Sequence, residues 1–281
     1  MAKKALLIGI NRYRIPGADL RGCVNDVKNM HQVLIDLYGF KANDVTTLTD
    51  LAATTAAMQS AIGKLVTGAR AGDVLLLHYS GHGANVPDSD GDEADQRDEI
   101  LCPTDLDWKA PLSDDWLRVT FNKLKKGVSL TVIMDCCHSG SNTRALQPPD
   151  APSIPRYLPN PWDIMAEESG RKLRGQVTRA LRTSPSRARA KKDVVNADIG
   201  ELLITGCRDT QTSADAHIGG SFNGALTYHL AKALRDAKGQ ISYLDLHRRT
   251  MEGLRQGEFD QVPQLEGRQP SFARAFLSPQ A

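Results

Sequence analysis

The chain reads as an α/β fold built on a mostly parallel sheet of about six strands, with helices on both faces. Three observations predict this. Apolar runs and helical periodicities alternate along residues 5–80 in the order β-α-β-α-β, which is the pattern of a parallel sheet. Two later stretches, the apolar run within Asp73 to Gly83 and the apolar and β-branched run Leu130 to Met134, read as strands buried on both faces. The composition, 41% hydrophobic and 24% charged over 281 residues, is that of a globular chain with room for a large core.

Each element has its own warrant. Ala5 to Ile10 is a first strand, followed by a loop with a Pro16-Gly17 turn. Asn25 to Tyr38 carries Val27, Met30, Val33, Leu34 and Leu37 at helical spacing, with Gly39 as its stop. Val45 to Leu48 is a short strand, and Thr54 to Val66 an amphipathic helix. The strand after Gly72-Asp73 ends in Ser80, Gly81, His82 and Gly83. An acidic loop over residues 85–99 leads to a short strand at Ile100 to Pro103. Ser113 is an N-cap, with Asp114 and Asp115 in the first turn of a helix reaching about Lys125. The strand at Leu130 breaks into Asp135, Cys136, Cys137, His138, Ser139 and Gly140. The pattern then fails over residues 141–198, with six prolines between Pro148 and Pro161 and nine Lys or Arg between Ser169 and Lys192. It resumes with a strand at Glu201 to Thr205 and helices at Gly224 to Asp236 and Tyr243 to Gly253. One domain over 1–281 is expected: a larger half 1–140, an insert 141–198 and a smaller half 199–281.

Bulk properties narrow the function. A net charge of +2 announces no polyanionic partner. Five cysteines, odd in number and set in apolar runs, suit a reducing compartment, so a cytoplasmic location is expected. The apolar start of the chain is too short for a signal peptide, and no run reaches the roughly 18 apolar residues that span a bilayer. No membrane partner is expected.

The chemistry gathers at two strand ends. If the strands ending in Ser80 and Asp135 are parallel neighbours, His82 and a cysteine meet at the carboxyl edge of the sheet, where open α/β sheets place their ligands. A thiol beside an imidazole is an activated nucleophile. The bland alternative is a pair of core residues, since free cysteine is often simply buried. Glycines on both sides of His82 argue against it, because they admit a ligand close to the backbone. Strand alternation sets Cys136 with Val132 and Met134, facing inward, and Cys137 with Asp135. Structural zinc from His78, His82, Cys136, Cys137 and His138 is disfavoured, because no pair has the Cys-x-x-Cys spacing.

The words LLIGINRY, LRGCVNDVKNM, HYSGHG, DCCHSG, GCRDTQTSADA, FNGALTYHL and VPQL run in order over nearly the whole chain. With them the chain resembles the metacaspases, in a minimal form without an adaptor segment. The resemblance implies a caspase-like three-layer fold and a cysteine endopeptidase. Cys137 is then the nucleophile and His82 the general base and acid, with the backbone N–H groups of Gly83 and Cys137 as the oxyanion hole. Asp26, Ser80 and Asp135 match the pocket for the residue before the scissile bond, which implies cleavage after Arg or Lys. No cofactor is needed for the chemistry. Asp98, Asp114 and Asp115 match three calcium ligands, but the fourth falls near Arg144, a cation. An EF-hand register through Asp88, Asp90, Asp92 and Glu99 fails, because Glu93 holds the position that needs glycine.

The basic stretch has three readings: a solvated linker, a nucleic-acid patch, or a loop offering bonds to the chain's own pocket. It has no aromatic residue for base stacking, so nucleic acid is the weaker choice. Self-cleavage within Arg171 to Lys192 is expected. The partners expected are protein or peptide substrates, with the enzyme a monomer. The alternative from another class is a catalytically idle peptide-binding scaffold.

Overall fold

The computed structural model describes residues 1–87, 97–138, 151–165, 201–208 and 211–280. A six-stranded sheet runs through the molecule. In chain order its strands are β1 (Lys3–Gly9), β2 (Val45–Thr49), β3 (Val74–Ser80), β7 (Ser129–Asp135), β9 (Glu201–Thr205) and β12 (Gln264–Gly267). Their spatial order is β12-β9-β7-β3-β1-β2, and every pairing is parallel except β9 with β12. The expected sheet of six mostly parallel strands is therefore present.

Alternation along the central strands feeds two cores. Leu75, Leu77, Tyr79, Leu130, Val132 and Met134 pack on one face with Met58, Ile62, Leu117 and Phe121. The last four come from α2 (Thr55–Thr67) and α3 (Asp114–Phe121). Val74, Leu76, Ile133, Leu202 and Ile204 pack on the other face with Val27, Met30, Leu34, Leu226, Leu230 and Leu246. Those helical residues come from α1 (Cys23–Tyr38), α4 (Ala225–Asp236) and α5 (Tyr243–Gln256). Strands covered on both faces have no solvent side, which is why β3 and β7 are buried at every position and carry apolar residues on both faces.

The caps follow local chemistry. Thr54 accepts a hydrogen bond from Ala57 N, and Ser113 accepts one from Trp116 N, so both side chains satisfy orphan donors of a first turn. Gly39 ends α1 in the left-handed region at φ 65°. Two expectations need correcting. α3 stops at Phe121, because Lys123 N and Leu124 N turn back to Thr120 and Phe121 in tight turns. The strand expected at 100–103 is β5 (Arg97–Leu101), which lies outside the main sheet. It joins β4 (Gly83–Pro87) and β6 (Leu112–Ser113) in a small antiparallel sheet. A second small sheet joins β8 (Ser153–Pro155), β10 (Ala214–Ile218) and β11 (Ser221–Gly224). It was not foreseen. A short helix, α6 (Gln269–Phe272), completes the described chain.

Candidate active site

Strands β3 and β7 are parallel neighbours in a register that sets Ser80 opposite Asp135. The two chemistry-bearing turns therefore leave the sheet side by side. Residues of even number in β3 and odd number in β7 face α1 and α4, so His78, Ser80 and Asp135 point toward those helices. Asp26, in the first turn of α1, reaches the same place.

What lies between them is Arg156, at 0% exposure. Its guanidinium meets Asp26 at 2.9 Å, Asp215 at 3.2 Å and Asp135 at 3.3 Å, and donates to Ser80 Oγ at 2.8 Å. A guanidinium is planar and multiply donating, so several carboxylates held around it replace the water it loses. The carboxylates are themselves fixed. Asp26 accepts from Ser80 Oγ and from Gly224 N. Asp135 accepts from Thr227 N, Thr227 Oγ1 and Ser213 Oγ. Asp215 accepts from the backbone N–H groups of Arg21 and Gly22. Burial pushes Asp26 up to about 7, with Arg156 acting against that rise. Gly224 has no alternative here, because a Cβ at that position would run into the Arg156 guanidinium and Asp135.

His82, two residues beyond Ser80, is buried beside Tyr13. Its backbone N–H donates to Tyr13 Oη at 2.8 Å, its carbonyl accepts from Tyr79 Oη at 2.6 Å, and the Tyr13 and His82 ring centroids are 5.0 Å apart. Its Nε2 lies 2.8 Å from the Ala18 carbonyl. A carbonyl only accepts, so this contact assigns the proton to Nε2 and leaves the lone pair on Nδ1. Nδ1 is buried with no hydrogen-bond partner among the described residues. Burial pulls the ring down to about 4, against the raising effect of the Ala18 and Arg156 carbonyls, so it is neutral at neutral pH.

Cys136 and Cys137 separate as alternation requires. Cys136 belongs to the core with Val132 and Met134, and its Sγ lies 3.6 Å from His138 Nε2. Cys137 sits at the site with Tyr157 and Cys207, its Sγ 3.3 Å from that of Cys207 and facing the Ser213 N–H. Burial, followed by the Cys207 thiol, raises the Cys137 thiol well above its ordinary value. The backbone N–H groups of Gly83 and Cys137 converge on one acceptor, the Arg156 carbonyl, at 3.0 and 3.2 Å. A Cβ on Gly83 would collide with the Cys137 backbone, so this convergence needs glycine.

The sequence-derived residues Asp26, Ser80, His82, Gly83, Asp135 and Cys137 thus surround one buried arginine. Sequence reasoning missed Arg156, Ser213 and Asp215. Asp215 lay inside the word GCRDTQTSADA and could have been weighed as a third acid. The acids proposed for calcium are placed elsewhere. Asp98 is on β5 and buried, Asp114 opens α3 and is buried, and Asp115 pairs with Arg118. Among the described residues, no group of three or more acidic, histidine or cysteine side chains is placed to hold a metal ion. Arg144 and the basic stretch 171–192 lie outside the described residues.

The family model "Metacaspase, peptidase C14 domain" matches residues 3–145. Metacaspase-1A of Aspergillus fumigatus is 37% identical over 95% of this chain and 69% of its own length. Metacaspase-1 of Schizosaccharomyces pombe is 35% identical over 95% of this chain and 68% of its own. Among solved structures, protein GSU0716 of Geobacter sulfurreducens superposes with a TM-score of 0.68 at 29% identity, covering 98% of this chain and 97% of that one. Caspase-1 of Spodoptera frugiperda, at 15% identity and a TM-score of 0.54, covers 94% of this chain and 86% of its own and shares the fold. The chain belongs to the metacaspases, cysteine peptidases of the caspase-like fold.

Proposed function

We propose that the protein is an endopeptidase that cuts after arginine or lysine, with Cys137 and His82 as its working pair. The observation that carries this reading is the pocket itself. Asp26, Asp135 and Asp215 offer three carboxylates, with the Ser80 hydroxyl, to a guanidinium already seated among them. An aspartate side chain placed there would meet like charge in a desolvated site, which costs several kcal/mol by the rules for buried charge.

The proposed steps use the thiol, the imidazole and two backbone N–H groups. Cys137 Sγ attacks the substrate carbonyl carbon as His82 Nδ1 takes the thiol proton. The Gly83 and Cys137 N–H groups receive the developing oxyanion. His82 returns the proton to the leaving amine as the C–N bond breaks, and water then hydrolyses the thioester with His82 as base. Ala18 holds His82 in the tautomer this requires, as the orienting member of a nucleophile–base pair does.

The test is a panel of fluorogenic peptides differing in the residue before the cut. Arg and Lys peptides should be hydrolysed and Asp peptides should not. Cys137→Ala should abolish hydrolysis, His82→Ala should cost about a hundredfold or more, and Cys136→Ala should keep a substantial fraction. Loss in Cys136→Ala with survival in Cys137→Ala would reverse the nucleophile assignment. No step of the reaction is assigned to calcium, because the acids matched to it form no cation cage among the described residues. An activator role through Asp98, Asp114 and Asp115 is the remaining proposal for the ion. Repeating the panel with a strong chelator settles it, and an unchanged rate would dismiss that role. Among the described residues no helix is long and apolar enough to cross a membrane.

A further inference from the structure

We infer that residues 153–158 lie across the cleft as the chain's own substrate, and that Arg156–Tyr157 is the first bond this protein cuts. The inference deepens the peptidase reading above and rests on it, but a different set of contacts carries it. These are main-chain contacts, which a merely stored arginine side chain would not need.

Peptides enter such clefts as an added strand, held by alternate backbone bonds. β8 pairs antiparallel with β10, with Ser153 opposite Ala216, Ile154 opposite Asp215 and Pro155 opposite Ala214. The next donor continues the ladder, with Arg156 N to Ser213 O at 2.9 Å. The Arg156 carbonyl then leaves the ladder and accepts from Gly83 N and Cys137 N together. Beyond it the chain does not stop or turn away. Leu158 N donates to Gly83 O at 2.9 Å, and Tyr157 is buried against Cys137 and Cys207. Both sides of one peptide bond are therefore pinned, on β10 before it and on Gly83 after it. The side chain immediately before that bond fills the basic-residue pocket. The residues after that bond, Tyr157 and Leu158, pack on the thiol side and on Gly83, which is where the leaving half of a substrate would lie.

Attack of Cys137 Sγ on the Arg156 carbonyl carbon breaks the bond to Tyr157 N. His82 carries the thiol proton to that amine. Water then releases Arg156 as a free carboxylate and restores the thiol. The products are residues 1–156 and 157–281. Until then the segment excludes other peptides from the same groups. Because it is tethered a short distance beyond Cys137, its effective concentration at the cleft is of the millimolar order. This places the first cut ahead of the basic stretch 171–192, whose bonds would become substrates only once the cleft is vacant.

The test uses the full-length chain. Fresh wild type, Cys137→Ala, Arg156→Gln and Tyr157→Pro are followed by intact mass and N-terminal sequencing, alongside hydrolysis of an Arg peptide. Wild type should yield a chain starting at Tyr157, at a rate independent of protein concentration. Cys137→Ala and Arg156→Gln should not yield it. Tyr157→Pro leaves Arg156 in place should Arg156→Gln fail to fold, and it should stay uncut. Its initial rate on the peptide should be lower than that of cut wild type by roughly tenfold or more, because substrate binds only molecules whose cleft is vacant. Peptide hydrolysis by a wild type that never shows the Tyr157 terminus would overturn the assignment of the bond and leave the peptidase reading intact. No Tyr157 terminus and no hydrolysis by any variant would overturn both. The same terminus in Cys137→Ala would overturn self-cleavage.

Discussion

Asp215 is where a single side chain decides most. It is fully buried, held by the Arg21 and Gly22 N–H groups, and aimed at the guanidinium. Asparagine keeps its shape and removes its charge. Asp215→Asn should therefore raise KM for Arg peptides roughly tenfold, the scale of one charge-assisted hydrogen bond, and leave kcat within a few-fold. The measurement is a KM against kcat comparison on Arg and Lys peptides. A fall in kcat alone would remove Asp215 from the binding pocket. Nothing in the sequence ranks this acid above the other acids of its stretch. Only the fold brings it, from far along the chain, to Asp26 and Asp135. Asp26, Ser80 and Asp135 were legible through the family words that contain them, and Ser80 and Asp135 also stand at strand ends, where chemistry in parallel sheets collects. Arg156 was not legible, because a lone cation in a proline-rich stretch has no periodicity and no fixed partner until the chain folds.

At the scale of elements, the turn after β7 is tied to β5 by His138 and Glu99, 3.0 Å apart. Burial alone would lower the His138 ring. Glu99, and then Cys136, outweigh burial and lift it well above its ordinary value. A histidine raised by its partner stabilises the fold fully below the ordinary imidazole value near 6.5, and that contribution is lost as pH rises through the lifted value. In a Cys137→Ala background, Glu99→Gln should lower stability by about 1–2 kcal/mol near pH 6, and the deficit should shrink toward pH 9. Urea unfolding at the two pH values measures this, and a deficit that grows with pH would contradict it. Elements long enough to show a period were readable: α1, α2, β3 and β7 sit within a few residues of where their apolar spacing puts them. β8, β10, β11 and β12 were not. They have three to five residues each, and their strand character comes from the partner they pair with, not from their own composition.

For the whole molecule, sheet order matters more than any one contact. Residues 1–156 supply β7 and β8, and residues 157–281 supply β9 and β10. β7 pairs with β9 over five positions, from Leu130–Glu201 to Met134–Thr205, and β8 pairs with β10. α1 packs against α4 across the same divide. A cut after Arg156 would sever the covalent link and leave every strand in its place. What changes is the order of the unfolding reaction. An intact chain unfolds in a unimolecular step, so its midpoint does not depend on how much protein is present. A nicked one unfolds into two pieces that must find each other again, so its midpoint should fall on dilution. Thermal scans at two protein concentrations, on nicked wild type and on uncut Cys137→Ala, would read the difference directly. A nicked sample whose midpoint ignores dilution would mean that the two pieces fold independently. Self-cleavage would thus convert a chain that can refold by itself, at any dilution, into a complex that depends on its own abundance to survive unfolding.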